Sequence, residues 1–232
     1  MAPNVLVVLT SHDEIPGKGP TGWFLPEFAH PYDVLSKKTN LTIASPKGGV
    51  APLDPGSVKM FAEDASSQEF LKKEHLWQNT EKLSNIIPRA AEFDAIFYVG
   101  GHGPMFDLVN DPDSLHLIQT FAAAKKPVAA VCHGPAVFIN ATVASGAPLL
   151  AGTEVTGFSN TEEDQVQLSS YMPFMLETEL QAKSGNYVKA DEPWGPKVVV
   201  SKVVGPGGPL ITGQNPASAT GVGEAILAAL GL

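Results

Sequence analysis

Apolar residues in this chain gather in short unbroken runs separated by longer stretches with helical spacing, the pattern of strands buried on both faces and of the helices that cover them. Val5–Leu9 is the first such run and Leu41–Ala44 the second. Asp94–Val99, Val128–Val131, Glu154–Phe158, Val198–Val204 and Leu210–Thr212 complete the predicted strands. The last two flank Gly205-Pro206-Gly207-Gly208, which predicts a hairpin. Helices are expected over Leu25–Lys37, Glu69–Leu83, Ser114–Ala124, Ala136–Ser145 and Pro216–Leu230, with another ending at Lys183 before Gly185. Pro26 is tolerated because it falls in a first turn. Ser45–Ser57, rich in Gly and Pro, reads as a loop. Such alternation predicts an α/β fold, and with neither repeat nor linker it predicts one domain over residues 1–232.

Composition narrows the class. Hydrophobic residues make up 44% and charged residues 17%, which places the chain among globular proteins. A net charge of -9 argues against a partner read through its phosphate backbone, so no nucleic acid is expected. No apolar run has the length of a membrane span, and Met1-Ala2-Pro3-Asn4 leads into the first strand without the charged start of a signal peptide. With one cysteine no internal disulfide forms, so the expected setting is the reducing cytoplasm, the nucleus left open.

That cysteine carries the strongest chemical signal. Val128-Ala129-Ala130-Val131 ends abruptly in Cys132-His133-Gly134-Pro135, followed by small and apolar residues with helical potential. This is the layout of a nucleophile elbow, in which a strand turns sharply into a helix and presents one side chain at the crevice. Amides and a helix dipole at such a point favour a thiolate. The plainer alternative is a small, inert, buried cysteine. Two other strand ends are unusual: Ser11–Gly22 after the first, and Gly100-Gly101-His102-Gly103 after the third. Ligands of open parallel sheets bind at such ends, which favours a functional Cys132. The glycines of the second either bring amides close to a substrate as oxyanion donors or merely satisfy a tight turn. No Gly-Lys-Ser/Thr follows them, so they are not a phosphate loop.

All six histidines, His12, His30, His75, His102, His116 and His133, lie at or before the elbow. A papain-like site needs a histidine well downstream of its cysteine, so a peptidase is disfavoured. His133 is the one imidazole certain to be near Cys132, although its adjacent position leaves open whether the ring turns toward the sulfur. Glu162-Glu163-Asp164 supplies carboxylates to orient it, and at least two of the three are expected to be ordinary solvated acids of a helix start. Glu27 lies among Trp23, Phe24, Phe28 and Tyr32, where desolvation would raise its pKa and let it pass protons. It reads equally well as a first-turn glutamate favoured by the helix dipole.

Several of these pieces resemble one known family. Thr21-Gly22 through Glu27 with His30-Pro31-Tyr32, Ser45-Pro46-Lys47-Gly48-Gly49 and Asp54-Pro55 come first. Val99-Gly100-Gly101-His102-Gly103, Cys132-His133-Gly134-Pro135, Val155-Thr156-Gly157-Phe158 and Thr212-Gly213-Gln214-Asn215-Pro216-Ala217-Ser218 follow in order. Together they resemble the PfpI superfamily, whose class I glutamine-amidotransferase-like fold is shared by the parkinsonism-associated deglycase. The heat-shock-type branch of glutathione-independent glyoxalases (glyoxalase III) is the most similar.

The resemblance implies a flavodoxin-like sandwich with a mostly parallel central sheet, helices on both faces and a nucleophile elbow. It implies that Cys132 is the nucleophile, Glu27 the proton carrier beside it, His133 the adjacent histidine, and the amides of Gly101 and His133 the oxyanion hole. The family's third acid follows a Phe-Ser/Thr strand end, and Glu163 aligns with it, although this chain reads Glu162-Glu163-Asp164 where the family more often has Gly-Glu. The branch's metal ligands do not map onto this sequence, so neither a metal nor another cofactor is expected. The implied activity is conversion of methylglyoxal, or similar small 2-oxoaldehydes, to lactate by a stress-response enzyme of the lyase class, D-lactate dehydratase type, acting as a homodimer. A stress chaperone and an oxidative sensor built on Cys132 are the alternatives of other classes.

Overall fold

The computed structural model describes residues 2–203, 205 and 207–232, and seven strands in it form one sheet. They are β1 (Asn4–Val8), β2 (Asn40–Ser45), β3 (Glu81–Lys82), β4 (Ala95–Tyr98), β5 (Val128–Val131), β6 (Val198–Lys202) and β7 (Pro209–Gly213). Their order is β3-β2-β1-β4-β5-β7-β6, parallel throughout except for β6, which runs antiparallel to β7. Val5–Val8, Ala95–Tyr98 and Val128–Val131 are fully buried, as unbroken apolar runs covered on both faces must be.

From β1 the chain steps outward to β2, then returns to build β4 and β5 on the other side. Right-handed crossovers therefore put α1 (Leu25–Leu35) and α4 (Pro112–Ala123) on opposite faces, and leave a crevice beyond the ends of β1 and β4. The shorter helices are α2 (Pro55–Met60), α3 (Ala65–Leu71), α5 (Asn160–Gln165) and α6 (Leu176–Ser184), and α7 (Ala219–Ala229) packs along α1. Among the described residues no helix is long and apolar enough to cross a membrane.

Four sequence expectations fail, each for a local reason. The helix expected over Glu69–Leu83 is interrupted: α3 ends at Leu71, a single helical turn, His75–Gln78, follows as Phe70 and Trp77 both turn into the core and stack at 5.6 Å, and the chain then supplies edge strand β3. The α-helix expected over Ala136–Ser145 is a 3₁₀ segment, Gly134–Phe138, after which Asn140 bonds outward to Val109 and Asn110 and Thr142 bridges to Pro148. Glu154–Phe158 forms no strand and keeps one bridge, Val155 to Tyr187. Inside the expected loop Ser45–Ser57, Asp54 accepts from the Ser57 amide and starts α2. Val204 and Pro206 of the expected hairpin lie outside the described residues.

The start of α1 determines where Glu27 stands. No side chain of its own caps this helix, and Ser57 Oγ instead accepts from the Leu25 amide at 3.1 Å. Just before it, Trp23 exchanges backbone hydrogen bonds with Pro52 and Asp54, and its ring packs edge-on against Trp77, Phe28 and Phe70 at 5.4, 5.8 and 6.2 Å. Trp23→Ala should therefore cost about 3–5 kcal/mol of stability in urea unfolding. A loss under about 1 kcal/mol would mean that this aromatic cluster does not hold the helix start.

Candidate active site

Cys132 sits one residue beyond β5 with φ +60°, a left-handed conformation that costs an L-residue about 1–2 kcal/mol. Two backbone bonds hold it there: its amide donates to Gly213 O and its carbonyl accepts from Phe158 N, both at 2.9 Å. The first extends the β5–β7 pairing, so the sheet itself imposes the strained turn. The sulfur consequently points into a cavity of about 260 Å³ beyond the strand ends, whose floor also holds Glu27, His102 and His133.

Glu27 reaches the sulfur from α1 across Gly100. A Cβ on Gly100 would lie 2.3 Å from Glu27 Oε2 and 2.9 Å from Cys132 Cβ, so only glycine lets the two side chains approach. Gly101, at φ +93°, presses against Gly22 O and brings its amide toward the sulfur. Glu27 is fully buried, and neither oxygen has a partner at hydrogen-bonding geometry. Burial pushes its pKa well up, against the opposing pull of the Cys132 thiol and the Gly100 and Gly101 amides. Burial, and then the charge of Glu27, push the Cys132 thiol up as well. Helix-dipole activation of the thiol was the expectation; with a 3₁₀ segment in place of the helix, desolvation prevails. Two negative charges are not tolerated side by side here, and the pair retains a proton at neutral pH.

The ring of His133 does turn toward the sulfur, with Nδ1 at 3.4 Å from Sγ and Nε2 at 2.6 Å from Glu163 Oε2. Burial, with the neighbouring His102, lowers its pKa, so the imidazole is neutral near pH 7. Its proton sits on Nε2 because the partner there is a carboxylate, which leaves the Nδ1 lone pair facing the thiol. Glu163 is held well below the ordinary carboxylate range: burial opposes its charge, but His133 and His102 outweigh it.

His102 was read from sequence only as part of a glycine turn, yet its Nε2 donates to Glu163 Oε1 at 2.9 Å and its ring lies 4.1 Å from that of His133. His102, His133 and Glu163 form the one group among the described residues that could hold a metal, with ligand atoms all within 4.8 Å. The same atoms already bond to one another, so an ion would have to break both carboxylate–imidazole contacts.

The neighbouring acids separate sharply. Asp164 carries no part of this arrangement and only accepts from Ser169 Oγ near the surface. Glu162, expected to be solvated, is instead fully buried. Its Oε2 accepts from the amide and hydroxyl of Ser159, at 2.9 and 2.7 Å, in a capping box for α5. Its Oε1 accepts from Trp194 N, Gln214 Nε2 and Asn215 Nδ2, at 2.9, 3.0 and 2.9 Å. Ser159-Asn160-Thr161-Glu162 is the sequence signature of that box and was the available signal. No pattern signalled Trp194 as a pocket wall.

The DJ-1/PfpI family pattern matches residues 21–229. Glyoxalase 3 of Candida albicans is 31% identical over 97% of this chain and 97% of its own length. The glutathione-independent glyoxalase HSP31 of Saccharomyces cerevisiae is 29% identical over 94% of each chain. The crystal structure of glyoxalase III from Candida albicans superposes with a TM-score of 0.87 at 29% identity, over 98% of this chain and 97% of that one.

Two measurements test this geometry. Because burial and Glu27 both raise the thiol pKa, alkylation of Cys132 by iodoacetamide should be slow at neutral pH and accelerate into the alkaline range. Glu27→Gln removes the repelling charge and should shift that acceleration to lower pH; an unchanged profile would mean that the two groups are not coupled. Glu162→Gln should cost about 1–3 kcal/mol in urea unfolding, since an amide cannot accept from all five donors. Native stability in that variant would deny Glu162 its bracing role.

Proposed function

The chain belongs to the DJ-1/PfpI family, and we propose that it is a glutathione-independent glyoxalase that converts methylglyoxal and water to lactate. One observation carries the reading: the single thiol faces a carboxyl of raised pKa on one side and a neutral imidazole anchored by a carboxylate on the other. A thiol needs a proton acceptor to attack an aldehyde, and the later isomerisation needs a group that both takes and gives a proton near neutrality.

His133 Nδ1 accepts the thiol proton as Cys132 Sγ adds to the aldehyde carbon. The amides of Gly101 and His133 hold the resulting oxyanion, and Glu163 compensates the imidazolium. Glu27 removes the proton from the former aldehyde carbon as the His133 imidazolium gives its proton to the ketone oxygen, and Glu27 then returns its proton to the former ketone carbon of the resulting enediolate. The aldehyde carbon is thereby oxidised to a thioester as the ketone carbon is reduced to a carbinol, so no redox partner takes part. Water then hydrolyses the thioester, releasing lactate and restoring the thiol. Cys132 supplies the sulfur that glutathione supplies elsewhere. The net reaction adds water to the ketoaldehyde, which places the enzyme among the hydro-lyases of the D-lactate dehydratase type. Carbonyl-stress defence belongs to the same reading, supported by the names of the glyoxalase relatives, and a cytoplasmic homodimer is proposed with it.

The test is lactate release from methylglyoxal without glutathione. Cys132→Ser should lower turnover at least about a thousandfold while the fold remains intact by circular dichroism. A variant that keeps a tenth of the native rate would rule out covalent thiol catalysis. Glu27→Gln should cost on the order of 10²–10⁴-fold in kcat, and near-native turnover would leave Glu27 no role in proton transfer.

A further inference from the structure

The cavity above Cys132 is polar only at its floor. Its walls are Phe24, Met60, Phe61, Phe158, Val166 and Trp194, and among the described residues no lysine or arginine lines it. Phe24 meets Phe61 edge-on at 5.9 Å, and Phe158 meets Trp194 edge-on at 5.5 Å, so two aromatic pairs shape the space. The Trp194 wall is fixed in place: its backbone is left-handed at φ +66°, its amide is held by Glu162 Oε1, and its indole N–H donates to Gln165 Oε1 at 2.6 Å. Met60 and Trp194 remain 69% and 41% exposed, which extends the apolar lining to the mouth.

Such walls offer little to the methyl group of a three-carbon ketoaldehyde. An anionic aldehyde would lose its hydration against aromatic rings, without a cation to receive it, in a protein of net charge -9. From this lining we infer that the enzyme prefers 2-oxoaldehydes bearing an aryl or branched apolar substituent over methylglyoxal, and rejects carboxylated or phosphorylated ones. The inference rests on the glyoxalase reading and specifies the substituent that its site accepts. The dicarbonyl sits at the polar floor, and the substituent displaces water from between the aromatic pairs, where added apolar contact strengthens binding of the transition state.

Steady-state kinetics without glutathione, comparing phenylglyoxal, methylglyoxal and the carboxylated 2-oxoaldehyde 4,5-dioxopentanoate, tests the preference. Phenylglyoxal should show a kcat/KM at least about tenfold above that of methylglyoxal, chiefly through KM, and 4,5-dioxopentanoate should fall at least about tenfold below methylglyoxal; a kcat/KM for it equal to that of methylglyoxal would overturn the rejection of anions. Phe61→Ala and Trp194→Ala should each reduce kcat/KM more for phenylglyoxal than for methylglyoxal. Equal kcat/KM for the two aldehydes, or equal losses in both variants, would overturn the preference while leaving the glyoxalase reading intact. If neither aldehyde is turned over, that reading falls, and the wall is read from protection of Cys132 against iodoacetamide by acetophenone and acetone. Protection by acetophenone at concentrations at least about tenfold lower supports an aryl-selective wall, and equal protection overturns it.

Discussion

Glu27 and Cys132 lie on different elements and meet because Gly100, between them, has no side chain. A buried carboxyl without a partner at hydrogen-bonding geometry is costly, and its charge in turn makes ionisation of the thiol beside it costlier. The surrounding structure supplies what keeps them together. Trp23 and Ser57 fix the first turn of α1, the β5–β7 pairing fixes the left-handed turn of Cys132, and Gly101 packs against Gly22 to close the gap. Each of these restraints lies outside the two side chains, yet loosening any of them would let the two groups separate and regain water.

Much of this was legible in the sequence because it is written in short-range pattern. The unbroken runs at Val5–Leu9, Asp94–Val99 and Val128–Val131 can be buried on both faces only as central strands, and that is where they lie. The glycine turns and the Cys-His-Gly-Pro run then fall at the carboxyl ends of those strands by geometry alone. The edges were less legible. β3 is two residues long, too short for any period to show, and its place depends on Phe70 and Trp77 turning inward. The 3₁₀ segment after Cys132 was misread because small apolar residues suit a long helix, while the fold demands a tight turn packed under the sheet.

At the site the division is similar. Residues within a motif were found, whereas partners gathered by the tertiary fold were not. His102 and Glu163 are far apart in sequence, and nothing local says that one carboxylate will divide its two oxygens between two imidazoles. The role of Glu162 was misjudged for the opposite reason. Its local signature, the capping box, was present, but acidic residues at a helix start are ordinarily solvated, and only the approach of Trp194, Gln214 and Asn215 buries it. Family likeness over nearly the whole chain gives Cys132 its context, and its motifs take in Phe24 and Phe158, but Phe61 and Trp194 of the aromatic lining lie outside the motifs that carry the resemblance.

Glu162 and Glu163 are consecutive residues of one six-residue helix, and they face different tasks. The first holds the Trp194 segment of the pocket wall, and the second holds the imidazole that faces the sulfur. The short helix thus joins the two: a substitution that turned it to widen the pocket would also move the carboxylate that holds His133. Pocket width and the contact between His133 and Cys132 are linked through α5. Directed evolution of the wall would therefore meet steep trade-offs in turnover, and changes that relieve them would be found on α5 before they were found among the residues that touch the guest.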